Sequence, residues 1–518
     1  MIKKTKVLLV VAVIGLALLF AAGCGGGGDS DQTSEGTDGT PKYGGTLNVA
    51  LSSDAPRLDP GFSSSVYDRY VFQSIFDKLV DIDSNSEIVP MLAEKWDVSD
   101  DGLTYTFYLR EGVKFHDGTD FDAEAVKFNF ERNMDPSSPR KGELGAVKAV
   151  SVVDTHTVKV ELKEPFAPFL SILTDRAGMM VSPKAAKELG ENFANNPVGT
   201  GPFKFDSQIK GNTITLVKNE DYWQEGLPYL DSVVFKIITD TNVVATNLKS
   251  GQVDISDWRF PSKEIKNFES DPNFTVVNKP SQNYNGFYLN VTKPPFDNKY
   301  ARQALDVLID RDALVDLIKD GAASPAHSYF SPGNLAHGDS DIPPEPSLEK
   351  AKELLAEGGI PDGFTFTYKT AATPEQQRIA EMLQSMFKPA GITMNIEKIE
   401  FGTLLDQAIK GDFQAASLGW SGRPDPDQNI YDDVVTDGSL NYGRYSNPEV
   451  DKLVKEARRE LDPEKRKAIY DEVMEILVDE LPYIFTYHEN NVICHSNKVH
   501  DFSYVSDGLI RTVKMWKE

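Results

Sequence analysis

An α/β fold built from more than one compact unit follows from three features of the sequence. The chain has 518 residues, too many for a single hydrophobic core. From Pro294 to about residue 418 helical and strand patterns alternate, the mark of an α/β layer arrangement. Before that point short strands and hairpins dominate, and after the last long helical pattern a strand-like stretch at 491–493 leads the chain back.

The first strand expected is 44–51, GGTLNVAL, followed by polar loop residues and a helical pattern over 66–76. Asp101-Gly102 starts a turn, 104–109 alternates as a strand, and His116-Asp117-Gly118 turns again. Asp122 caps a helix whose Ala125, Phe128 and Phe130 are expected largely on one side. Residues 147–163 read as a hairpin turning at Asp154-Thr155, and 202–260 as strands around a helix at 241–249. Helices are then expected at 299–308, 349–357, 375–388 and 401–410, with strands at 365–368, 393–397 and 415–418. Ser446 and Glu449 form a capping box, and Asp462-Pro463 opens a helix running to 481. A strand at 483–487 follows.

The amino terminus has the pattern of an export signal. Lys3, Lys4 and Lys6 precede an apolar run over 7–22 that is short for a membrane span. The run ends Ala21-Ala22-Gly23-Cys24, which resembles the lipobox of bacterial lipoproteins, with Ala21 where leucine is usual. That likeness implies cleavage after residue 23 and lipidation of Cys24, whose acyl chains would anchor the protein to a membrane from outside the cytoplasm. Residues 24–42 are rich in Gly, Ser, Thr and Asp and form a flexible tether. Cys494 is the only other cysteine, so a lipidated chain has no intramolecular disulfide.

A net charge of −25 argues against nucleic acid as a partner and against a basic membrane-binding surface. The seven histidines show no paired metal spacing, and no phosphate-cradling loop or serine-nucleophile elbow is present, so neither metal nor cofactor is expected. His116 reads as a structural turn residue.

The stretch 418–429, LGWSGRPDPDQN, carries the most concentrated chemistry. It gathers Trp420, Ser421, Gly422, Arg423, Asp425 and Asp427, with Pro424 and Pro426 fixing φ, and is expected as a stiff loop rather than helix. Flat apolar surface beside both signs of charge suits a small anionic or zwitterionic ligand.

The motifs LAEKW (92–96), DGLTYTF with GVKFHDG (101–118) and FNFER (128–132) then carry a resemblance. So do PVGTGPF (197–203), NEDYW (219–223), LKSGQVDI (248–255), NVTKPPFDNKYARQAL (290–305) and YSNPEVDKL (445–453), in the same order. Together they resemble the extracellular solute-binding proteins of bacterial ABC importers, the family with oligopeptide-, dipeptide- and nickel-binding members. Ala125 stands where that family usually has Asp.

The resemblance implies a two-lobed periplasmic-binding-protein-like fold with a hinge and an inter-lobe cleft. Lobe I would comprise 43–282 plus 491–518, with an inserted subdomain at about 81–195, and lobe II 283–490. It also implies a monomer that captures a peptide or a small carboxylate-bearing solute and hands it to a membrane permease, at the cell surface or in the periplasm. Trp258, Asn283 and Tyr284 stand where the family reaches the cleft, and Arg176 precedes Val181-Ser182-Pro183 as a ligand-approaching arginine does in nickel-binding members. Peptide-binding members place an Asp three residues after the Gly-Trp tryptophan to clamp the peptide ammonium. Here that position is Arg423, whose planar fork of donors suits an acid group. Either Asp425 or Asp427 takes over an amine, or Arg423, with Arg176, binds an acid, and the second is favoured. Pairing of Arg423 with a carboxylate of the chain is the plain structural alternative. Two other functions compete with transport: a surface-anchored hydrolase of peptides or glycans using Asp425 and Asp427 as twin carboxylates, and a ligand sensor.

Overall fold

A computed structural model describes residues 40–518, of which Lys42–Glu518 form one compact unit. The expected signal, Cys24 and all but the end of the tether lie outside the described residues.

The molecule is two-lobed and mixed α/β, and its centre is one strand, Tyr483–Ser496. The sequence YIFTYHENNVICHS is apolar at both ends and polar in the middle, and burial follows: Glu489 and Asn490 are half-buried among otherwise mostly buried neighbours. The first half of the strand pairs antiparallel with Asn285–Leu289 and Ala323–Pro325. The second half pairs antiparallel with Phe274–Pro280. The chain therefore passes from one side of the molecule to the other at 281–284, beside Glu489 and Asn490.

On the early side Thr46–Leu51 lies parallel to both Ser232–Ile237 and Ile255–Ser256. Thr213–Lys218 and Phe203–Ile209 extend this sheet antiparallel. On the late side Thr365–Ala371 is parallel to Thr393–Ile399 and to Ala415–Ser417. Helices Pro374–Phe387 and Phe401–Lys410 make the crossovers that parallel strands require. Sequence patterning placed helices Thr241–Lys249 and Phe401–Lys410 at these bounds.

A separate four-stranded antiparallel sheet, Ala93–Val98, Thr104–Leu109, Thr157–Leu162 and Val147–Asp154, has its own core around Phe107, Phe121, Phe130 and Phe169. Helix Ala123–Asn133 covers it, capped by Asp122, whose carboxylate accepts from the Ala125 amide. Ala125 and Phe130 enter this core, but Phe128 does not share their face. Two helical positions span about 200°, so Phe128 turns to the main sheet's core, under Lys187. His116 is structural here: Nε2 meets the Gly201 carbonyl at 2.9 Å, the Gly199 amide donates to Nδ1 at 3.3 Å, and burial pushes its pKa down to about 4.

Three local expectations are corrected. Asn447, not Ser446, caps helix Pro448–Ala457, because its side chain reaches the amides of both Glu449 and Val450. The strands expected at 483–487 and 491–493 are one, since His488 and Glu489 pair with Ser324 and Ala323, and Asn490 with Pro280. The stretch 418–429 is not loop throughout: helix Asp427–Val434 begins inside it, directly after Pro426.

Candidate ligand-binding site

The strand Ala415–Ser417 ends at the middle of the molecule, and residues 418–426 run across it. Trp420 and Tyr284 exchange backbone hydrogen bonds, Trp420 N–H to Tyr284 O at 2.9 Å and Tyr284 N–H to Trp420 O at 3.2 Å. Gly422 takes φ +73°, and a Cβ there would stand 2.0 Å from the Gln282 carbonyl oxygen, so only glycine fits. Asn429 pins the segment from below. Its Oδ1 accepts from the Trp420 indole (3.1 Å) and the Arg423 amide (2.7 Å), and its Nδ2 donates to the Arg423 carbonyl (2.8 Å).

This segment forms one wall of a cavity of about 450 Å³, a size suited to a small solute. Seven residues anticipated from sequence line it: Trp420, Ser421, Gly422, Arg423, Arg176, Trp258 and Asn283. Three others lie elsewhere. Asp425 is bound by both terminal nitrogens of Arg466 (2.6 and 2.8 Å), and Asp427 by Nε and Nη2 of Arg458 (2.9 and 2.8 Å). Burying these carboxylates requires such partners, and the pairs draw both away from the cavity. Tyr284 is 1 % exposed and donates its hydroxyl to Asp433 at 3.1 Å. It supports Trp420 through backbone alone. With both aspartates engaged, the twin carboxylates that a hydrolase reading needed are not in the cavity.

Among the described residues Arg423 makes no ion pair within 4 Å. Its Nη1 donates to Ser421 Oγ (3.2 Å) and the Gly422 carbonyl (2.6 Å), and its guanidinium lies 5.2 Å from the Trp420 ring centroid. Burial, then repulsion by Arg69, lowers its pKa. Arg176 likewise makes no ion pair among the described residues: Nη1 donates to the Ser63 carbonyl at 3.2 Å, and burial, against the attraction of Asp175, pushes its pKa down to about 10. Asp175, adjacent to it, is bridged by Arg69 at 3.0 Å.

Sequence reasoning missed Arg69, Gln282, Gln376, Glu489 and Asp507, which also line the cavity. Glu489 left a trace, as the polar break in an apolar strand. The rest arrive by long-range folding alone. Glu489 is bridged by Lys319 (2.8 Å) and Asp507 by Arg511 (2.8 Å), so neither carboxylate is an uncompensated charge.

Residues 87–442 match the family model of the bacterial extracellular solute-binding proteins, family 5. The chain belongs to that family. Over 473 residues it is 33% identical to the glutathione-binding protein GsiB of Salmonella paratyphi A, covering 89% of this chain and 92% of the relative. HbpA2 from Haemophilus parasuis superposes with a TM-score of 0.84 at 27% identity, covering 92% of this chain and all (100%) of that one. The ABC transporter-associated periplasmic binding protein DppA from Helicobacter pylori, in complex with the peptide STSA, does so at 0.78 with 31% identity, covering 92% and 99%. The resemblance read from the motifs at 92–132 and beyond is thus to the right family, and the chain is a solute-binding protein of the ABC-importer type.

Proposed function

We propose that this protein captures a peptide-like or other small solute bearing an acid group in the central cavity and delivers it to a membrane permease. The observation that carries this is Arg423: it lines the cavity, lies against the Trp420 ring, and makes no ion pair among the described residues. A guanidinium in that setting offers charge-assisted, bidentate recognition to a carboxylate. The relatives that bind glutathione or a peptide support the solute class.

In this account the two lobes are 43–282 plus 491–518 and 283–490, with the inserted unit at about 81–195, and they close by bending at the two crossings beside the cavity. Trp420, Ser421, Gly422, Arg176, Trp258 and Asn283 complete the contact set. A monomer anchored through Cys24 outside the cytoplasm would present the closed form to its permease.

The test is mass spectrometry of small molecules released when the purified protein is denatured, followed by their return to refolded protein. A released solute with a carboxylate that raises the melting temperature is expected, since binding only the native state stabilises it. A released solute lacking any acid group would overturn the reading.

A further inference from the structure

The buried cavity-lining side-chain atoms that lack a hydrogen-bond partner among the described residues are all donors. Of the buried side-chain nitrogens and oxygens without a partner among the described residues, two belong to cavity-lining residues: Arg176 Nε and Trp258 Nε1. Both are donors. Arg423 adds to them, because among the described residues only its Nη1 makes side-chain hydrogen bonds, which leaves Nε and Nη2 for a ligand. A buried donor without an acceptor is costly, so a ligand that supplies acceptors is favoured twice over, by the bond made and by the penalty removed.

Charge points the same way. Five charged side chains line the cavity: Arg69, Arg176, Arg423, Glu489 and Asp507. Three are compensated, Arg69 by Asp175, Glu489 by Lys319 and Asp507 by Arg511. Arg176 and Arg423 make no ion pair of their own among the described residues. The nearby Glu143 bridges Arg140, and Asp68 spends its oxygens on the Ser63 hydroxyl and the Arg57 amide. Asp175 and Glu143 attract both guanidiniums and Arg69 and Arg140 repel both, but the two carboxylates are already bridged by Arg69 and Arg140. The two come from separate parts of the chain, Arg176 from the turn after helix Phe169–Ile172 and Arg423 from the segment after strand Ala415–Ser417.

We propose that the cavity selects a solute with two separate acid groups, one meeting Arg423 and the other meeting Arg176, with the Trp258 indole N–H donating to a further acceptor. The inference rests on the reading of this cavity as a solute site and adds the number of charges to it. A solute with one acid group leaves one cavity guanidinium without an acid partner, and that unmet charge is what discriminates against it.

The probes are glutathione, which has two carboxylates, glutathione amidated at its glycine, Ala-Ala-Ala and Ala-Ala-Ala amide, each titrated calorimetrically into ligand-free protein. Loss of one acid group from glutathione should weaken binding about 30-fold or more. Arg176→Met and Arg423→Met should each weaken glutathione binding, and one of the two should leave the mono-amide's affinity unchanged. If glutathione and its mono-amide bind alike, the two-acid inference falls while the solute site stands. If both variants weaken the mono-amide equally, a single acid group is shared and the inference falls as well. If no probe binds, the inference and the peptide-like solute reading fall together. Comparison of the amidated probes uses the wild-type chain, so a variant that does not fold leaves the test decisive.

Discussion

Arg458 grips Asp427 with two parallel hydrogen bonds of 2.9 and 2.8 Å, while its own carbonyl accepts the backbone amide of Ala167 at 2.9 Å. Its guanidinium also lies over the Tyr431 ring and near Phe166. One residue thus ties the helix that follows the cavity wall to a loop of the four-stranded unit. Arg459, next in sequence, reaches Glu164 of that same loop, but on the surface.

Arg458→Ala should therefore destabilise the protein by about 2–4 kcal/mol, because it strands a buried carboxylate. Arg459→Ala should change stability by less than about 1 kcal/mol, as exposed ion pairs do. Urea unfolding of the two variants checks the contrast, and equal effects would refute it.

Gly422→Ala should cost at least about 2 kcal/mol, since it adds the strain of positive φ to a clash with the Gln282 carbonyl. Solute affinity should fall with it, because Trp420 and Arg423 depend on this close approach. Calorimetry and urea titration of the variant measure both.

Asp433 gives a pH signature. Burial pushes its carboxyl up to about 7, against hydrogen bonds from Tyr288, Tyr329 and Tyr284 that favour the charged form. The folded state then holds a proton that the unfolded state releases near 4. Stability contributed by this group is present in acid and is lost as pH rises from about 4 to about 7. Asp433→Asn should remove that fall, so the variant should gain on the wild type between pH 5 and 8 in urea midpoints. A constant difference across that range would contradict the assignment.

Cys24→Ser should fold normally and move from the membrane to the soluble fraction. A variant that stays membrane-bound and unprocessed would rule out the lipid anchor.

Much of the fold was legible in the sequence because local periodicity decides helices such as Phe401–Lys410 and strands such as Thr365–Ala371. The composition of 418–429 likewise marked Trp420 and Arg423. What local pattern could not show was who neutralises whom. Asp425 and Asp427 look like ligand carboxylates until Arg466 and Arg458, on helix Pro463–Glu480 and at the end of Pro448–Ala457, fold against them. Arg69 and Asp507 reach the cavity from opposite ends of the chain, and no spacing rule connects them. Phe128 shows the opposite lesson: strict helical geometry would have separated it from Phe130.

The most direct test of the account is the affinity of the co-purifying solute for wild-type protein and for Arg423→Ala. If Arg423 holds an acid group in a desolvated site, the variant should lose roughly 2–5 kcal/mol, a rise in Kd of about 30-fold to a few thousandfold. An unchanged Kd would show that Arg423 never meets the solute, and would contradict the account.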